Sequence, residues 1–269
     1  LGSLLHGDFG PSYKYTGKTV NDFIATGAPV SAKLGLVTLV FVLLTSIPMG
    51  ILAALKNGKW QDMLLMAFAT IGVTIPSFVI ASVLIYVFSF KLNVLPTFGL
   101  DSWKSYILPV IAMGGYSVSY LARLMRSSLL EVMGQDYIRT ARAKGLTEFA
   151  VVTKHALRNA LIPVITVLGP TVAGLLTGSF VVEKIFAIPG IGYYFVNSVT
   201  QRDYTTIMGV TIFFAAFLMA MASSVSSFRS ALDGVYTDNR YLFTTTEAPS
   251  FCFSTEHSAC RKRQEQSAF

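Results

Sequence analysis

The sequence predicts an all-α fold, a polytopic membrane helix bundle. Three observations carry this. The chain of 269 residues is 53% hydrophobic and only 13% charged, about half the charged share of a soluble domain. Its mean hydropathy is +0.58. Five apolar stretches of near-spanning length follow one another between residues 34 and 225, and a bilayer core needs roughly 20 apolar residues as helix. The composition excludes a disordered protein. With two cysteines, Cys252 and Cys260, it also excludes a disulfide scaffold.

The first stretch, Leu34–Leu55, is 22 residues without a charge. The second, Met63–Phe90, is interrupted by Gly72 and Pro76. Ile107–Ala122 is shorter and carries Pro109, Gly114 and Gly115. Ile162–Val182 carries Pro163 and Pro170, and Thr206 to Val225 fades into Ser223 and Ser224. None of the five contains Asp, Glu, Lys, Arg or His. Proton relays and ion-coupled carriers place such groups at membrane depth. Their absence points to a passive channel or to a pore driven from outside.

Basic residues in short loops mark the cytoplasmic side. Residues 123–161 hold seven basic residues against three acidic ones, and Lys56–Asp62 adds two more. Both loops are therefore expected inside. Loops 91–106 and 183–205, and residues 1–33, are then expected outside. An outside N-terminus without a signal peptide or apolar helix leads us to expect a further span upstream, so that five spans are visible of six. Residues 226–269 are expected to form an atypical, disordered tail; a frameshift or a native tail would both account for it. The domain division is thus an extracytoplasmic segment 1–33, a membrane domain 34–225 and the tail.

Enzyme chemistry is missing. Gly17-Lys18-Thr19 resembles the end of a phosphate loop, but Ser12 stands where its first glycine is required. His6, His155 and His257 are far apart, with no metal-ligand spacing. We expect no cofactor bound by this chain, and no nucleic-acid partner.

The loop 123–161 reads as folded. Asp136 is placed to cap a helix over residues 137–144, and Gly145 suits a left-handed stop. Thr147 is placed to cap a second short helix ending in Lys154, His155 and Arg158, a charge order that complements the helix dipole. Such a knob suits docking to a protein; a pair of helices lying on the lipid surface is the alternative.

The run Tyr137-Ile138-Arg139-Thr140-Ala141-Arg142-Ala143-Lys144-Gly145-Leu146, followed by His155-Ala156-Leu157-Arg158 and Pro163, resembles the "EAA" loop of bacterial peptide ABC-importer permeases. Gly178-Ser179-Phe180-Val181-Val182-Glu183, Pro189-Gly190-Ile191-Gly192 and Arg202-Asp203-Tyr204 are similar to the same family's outer loop. Gly7-Asp8-Phe9-Gly10-Pro11-Ser12 and Pro29-Val30-Ser31-Ala32-Lys33-Leu34-Gly35 match as well. The likeness covers residues 1–222, to oligopeptide permeases first and dipeptide permeases next. Arg139 and Thr140 stand where the generic pattern has Glu and Ala, a departure usual in peptide permeases.

The resemblance implies a type I importer permease fold in the bacterial inner (plasma) membrane. It implies a second permease subunit, two cytoplasmic ATPase subunits that use the ATP, and an extracytoplasmic peptide-binding protein. It also implies that Arg139, Thr140, Ala141, Gly145, His155, Arg158 and Pro163 form the ATPase-coupling loop, with Gly145 as its bend and Thr140 and Ala141 allowing close approach. Glu183, Pro189, Gly190, Gly192, Arg202 and Asp203 are the outer-loop motif. A dipeptide, nickel or other small-solute permease shares these motifs. A passive channel or a non-functional fragment is the reading from another class. With an upstream span missing, the chain alone is expected not to transport.

Overall fold

A computed structural model describes residues 7–100 and 102–238. Cys252, Cys260, His6, His257 and the tail from residue 239 lie outside the described residues. By its contacts the chain divides into Leu1–Ser227 and Phe228–Phe269. The described part of the second unit is the end of one helix.

Helix α1 runs from Val20 to Leu55. It starts fourteen residues before the apolar stretch because Thr19 and Asp22 form a reciprocal capping box. Residues 20–33, expected only as an outer segment, are therefore helical. At 1.5 Å per residue the helix is roughly 54 Å long, more than a bilayer core of about 30 Å. Helix α2 (Trp60–Thr74) and α3 (Ser77–Leu84) with its π-helical extension Ile85–Lys91 divide the second stretch. They meet at a bend of 106°, so this stretch is not one straight helix. Pro76 is the cause: it forces Ile75 into an extended conformation (ψ 124°) and opens α3.

Helix α4 (Trp103–Met133) continues eleven residues beyond the expected span, through Arg123 and Arg126. Helix α5 (Asp136–Ala143) follows. The return begins at α6 (Glu148–Ala150) and runs through a π-helical segment, Val151–Ala156, into α7 (Leu157–Leu176). Short helices α8 (Phe180–Ile185) and α9 (Ile191–Gln201) lead to α10 (Tyr204–Asp238). Residues 226–238, expected as tail, are thus helical; no proline interrupts them. Four helices are long and apolar enough to cross a membrane, and the bent pair makes five.

The buried stripe of α1 is made of small residues. Gly27, Ser31, Gly35, Thr38, Ser46, Gly50 and Ala53, with Val42 between Thr38 and Ser46, recur at three- and four-residue spacing on the face turned inward. Leu36, Val40, Leu44 and Leu52 face outward. The helix is inside-out, as expected where lipid is as apolar as leucine and close backbone approach holds helices together. A side-chain carbon on Gly35 would overlap the Leu175 carbonyl of α7. One on Gly50 would come within 2.6 Å of Met125 Cβ and 2.7 Å of the Ala122 carbonyl on α4. The core then fills with Leu34, Leu108, Leu121, Met125 and Leu129.

Gly50→Leu should therefore insert but pack poorly. Overpacking costs about 1–3 kcal/mol in cores with side-chain give, and here a carbonyl cannot yield. Thermal unfolding in detergent should show a clear loss for Gly50→Leu. Leu44→Ala, on the outer face (71% exposed), should stay within about 0.5 kcal/mol of the parent.

Candidate functional site

The motif residues separate onto two ends of the bundle. At one end lie the turn 56–59 and the connection 134–149; at the other lie residues 7–19, the 92–102 loop and α8–α9.

At the first end, α4 is clamped to the start of α2. Arg126 donates to both Asp62 carboxylate oxygens, at 2.7 and 2.6 Å, and to Asn57 Oδ1 at 2.8 Å. The Gly58 amide donates to Asp62 as well, at 3.1 Å. The Asp62 side chain is only 6% exposed. A bidentate pair of this kind is both strong and geometrically specific. Counting charges for topology gave no sign of it; an acid in the first turn of α2 and two arginines, Arg123 and Arg126, in the extension of α4 are the only cue.

Helix α5 sits beyond this clamp. Its inward face is Ile138 and Ala141, which pack with Val151 and Ala156 of the returning segment. Ala141 is thus largely buried within its own chain. Gln135, not Asp136, takes the N-cap position, and Asp136 lies in the first turn. Gly145 adopts φ +77°, and its amide donates to the Arg142 carbonyl at 2.9 Å. Open space surrounds the position where its side chain would start. Thr147 caps the next turn through Ala150. That second helix does not stop at Arg158: it runs on into α7, carrying His155 and Pro163 along it. Arg142 pairs with Glu148 across the bend at 2.7 Å, and Asn159 donates to Tyr137 Oη at 2.8 Å. Arg139, Thr140, Lys144, Leu146 and Phe149 face outward.

At the other end two buried carboxylates organise the chain. Glu183, fully buried on α8, accepts from the Gly192 and Tyr193 amides at 2.9 and 3.3 Å. These are unpaired donors at the start of α9, where a helix favours an anion. Ser31 of α1 accepts the neighbouring Ile191 amide at 2.9 Å. Gly178, Gly190 and Gly192 surround Glu183, and a side-chain carbon on any of them would strike its carboxylate. Gly178 also needs its φ of +81° to turn α7 into α8. Pro189 is exposed beside them.

Arg202 closes α9 in a left-handed conformation (φ 58°) and so places Asp203. Asp203 is fully buried. It accepts from Ser12 Oγ, from Thr206 Oγ1 at 2.8 Å, and from the Tyr13 amide at 3.3 Å. It ties residues 12–13 to the first turn of α10. Burial pushes its carboxyl up, but these hydrogen bonds outweigh burial and hold it below the usual carboxylate range. Among the described residues no cluster of acids, His or Cys could hold a metal ion.

These elements make a helix bundle with several apolar helices of membrane-spanning length, joined by small-residue contacts, with an exposed helical turn at residues 136–149. Residues 46–234 match the family described as binding-protein-dependent transport system inner membrane component, and the chain belongs to that family. It is similar to the dipeptide transport system permease protein DppB of Bacillus subtilis, 47% identical over 87% of this chain and 76% of that one. The oligopeptide transport system permease protein OppB of Haemophilus influenzae is 46% identical over 79% of this chain and 70% of that one. The Escherichia coli K12 OppB is 42% identical over 87% and 77%. In fold it resembles inward-facing structures of the MetNI methionine ABC transporter, with TM-score 0.66 at 18% identity over 78% of this chain and 95% of that chain. The protein is thus an inner-membrane, multi-pass transport component.

Two outcomes follow from this geometry. Arg126→Met leaves the Asp62 carboxylate buried without its cation, a loss of about 3 kcal/mol for such pairs, measurable by denaturation in detergent. The Asp203 clasp has a lowered folded-state pKa. Its stabilisation is complete above the ordinary carboxylate value near pH ~4 and is lost as pH falls through the lower folded value. Proteolysis within residues 7–19 should therefore rise in that acid range, and Asp203→Asn should remove the pH dependence.

Proposed function

We propose that this chain is one permease subunit of an ATP-driven importer of oligopeptides. It pairs with a second permease subunit, receives peptide from an extracytoplasmic binding protein and is driven by two cytoplasmic ATPase subunits, with ATP bound by those partners alone. The observation that supports this best is the knob. Arg139, Thr140, Arg142 and Lys144 lie on its outward side, and the bend at Gly145 is closed by the Arg142–Glu148 pair. The returning helix of the knob runs on into a helix of spanning length, so force applied there reaches the bundle. The curated relatives that match over most of the chain are peptide permeases, which supports the peptide branch.

Dipeptides are the second reading, because DppB of Bacillus subtilis is slightly more similar (47%) than the OppB proteins (42–46%). Competition for uptake by unlabelled peptides of two to five residues, in the assembled importer, separates them. Inhibition by dipeptides alone would overturn the oligopeptide reading.

Gly145→Val tests the coupling role. Left-handed geometry costs a non-glycine residue about 1–2 kcal/mol, more for a β-branched one, while the site has room. The variant should insert and assemble, yet show ATP hydrolysis without matching uptake. Uptake at the parental rate would refute the role.

A further inference from the structure

An open cleft of about 430 Å³ lies where α3, α4 and α7 meet, just below the 106° bend. Such a volume is within the usual range of ligand sites. Six of its lining residues carry hydroxyls: Ser77, Tyr116, Ser117, Tyr120, Thr171 and Ser179. No charged side chain lines it among the described residues. Tyr116 lies about 20 Å along α4 from Trp103, well inside the span. The hydroxyls of Ser77, Tyr116, Ser117 and Tyr120 make no hydrogen bond to any described residue. Hydroxyls facing hydrocarbon without a partner are costly, so this cleft is not a lipid face.

A second observation is independent of the first. Glycine inside a helix costs roughly 0.5–1 kcal/mol relative to alanine, and Gly27, Gly35, Gly50 and Gly72 offset that cost by close contact. Gly174 does not. It lies within α7 and lines the cleft, and nothing stands within 4 Å of where its side chain would start. Neither packing nor backbone conformation asks for glycine there. Its missing side chain leaves the cleft open at that point.

We infer that this cleft is a binding site for the main chain of the transported peptide, held by hydroxyls against its amide groups. This rests on the peptide-importer reading above. Amide N–H and C=O groups are the one feature every peptide shares, and hydroxyls both donate to and accept from them. No lining side chain carries a charge, so the wall itself offers no ion pair to acidic or basic peptide side chains. Gly174 is the clearance for the chain's passage, while Tyr116 and Tyr120, stacked with centroids 6.3 Å apart, form the wall opposite.

The test uses the assembled importer, with its second permease, ATPases and binding protein, in proteoliposomes. Uptake of labelled trialanine, and of tripeptides with a central lysine or glutamate, is measured. Gly174→Leu improves helix propensity and meets no neighbour at its Cβ, so it should fold and co-purify with the second permease, and uptake should fall at least tenfold. Tyr116→Phe with Tyr120→Phe should lower uptake of all three peptides by the same factor. Parental uptake by Gly174→Leu overturns the site. So does loss of the co-purified second permease, which would make the cleft a helix-packing surface, or a double-Phe effect confined to one charge. Absence of trialanine uptake in the parental assembly instead sinks the importer reading itself.

Discussion

Everything in this bundle depends on how closely α1 approaches α4 and α7. In a bilayer, burying a leucine against another helix gains little over leaving it in lipid. What remains is van der Waals contact between backbones, and that requires the smallest side chains. Gly35 against Leu175 and Gly50 against Met125 are the two tightest places. With α1 seated there, Ser31 comes to the start of α9 and Arg126 of α4 reaches Asp62. Both polar sites at the two ends are therefore consequences of one apolar seam.

The two buried carboxylates Glu183 and Asp203 follow a common physical plan. Each is fully buried and each accepts backbone amides at a helix start, Glu183 at α9 and Asp203 at α10. A carboxylate there satisfies donors that have no partner within the helix. Together they lock α8, α9, residues 12–13 and the opening turn of α10 around the N-terminal part of α1. The wall of the cleft at Gly178 is built on the same lock, since Glu183 stands directly behind it.

The helical class, the membrane setting and the partition of loops between two ends were legible in composition and charge alone. So was the left-handed turn at Gly145, because a glycine between a basic helix end and a Thr-Glu start has little other use. Element boundaries were less legible. Asp22 and Lys33 hid the first four turns of α1, and Arg123 and Arg126 hid the last of α4, because apolar windows stop at a charge while hydrogen-bonded helices do not. Glu183 and Asp203 stood out only by family likeness; their long-range partners, Gly192 and Ser12, are set by the tertiary fold. The Asp62–Arg126 pair, 64 residues apart, left no periodic trace at all.

The return from the knob contains no loop. From Glu148 through the π-helical turns to Leu176 the backbone is one continuous rod, roughly 44 Å long. A rod of that length behaves as a lever arm. A small tilt imposed at Phe149 is carried toward Thr171 and Gly174, and Pro163 and Pro170 are the points along the way where the rod can bend. The wide turns at Val151–Ala156 give such a lever slack in its winding, so rotation about the axis and tilt of the axis need not be transmitted equally.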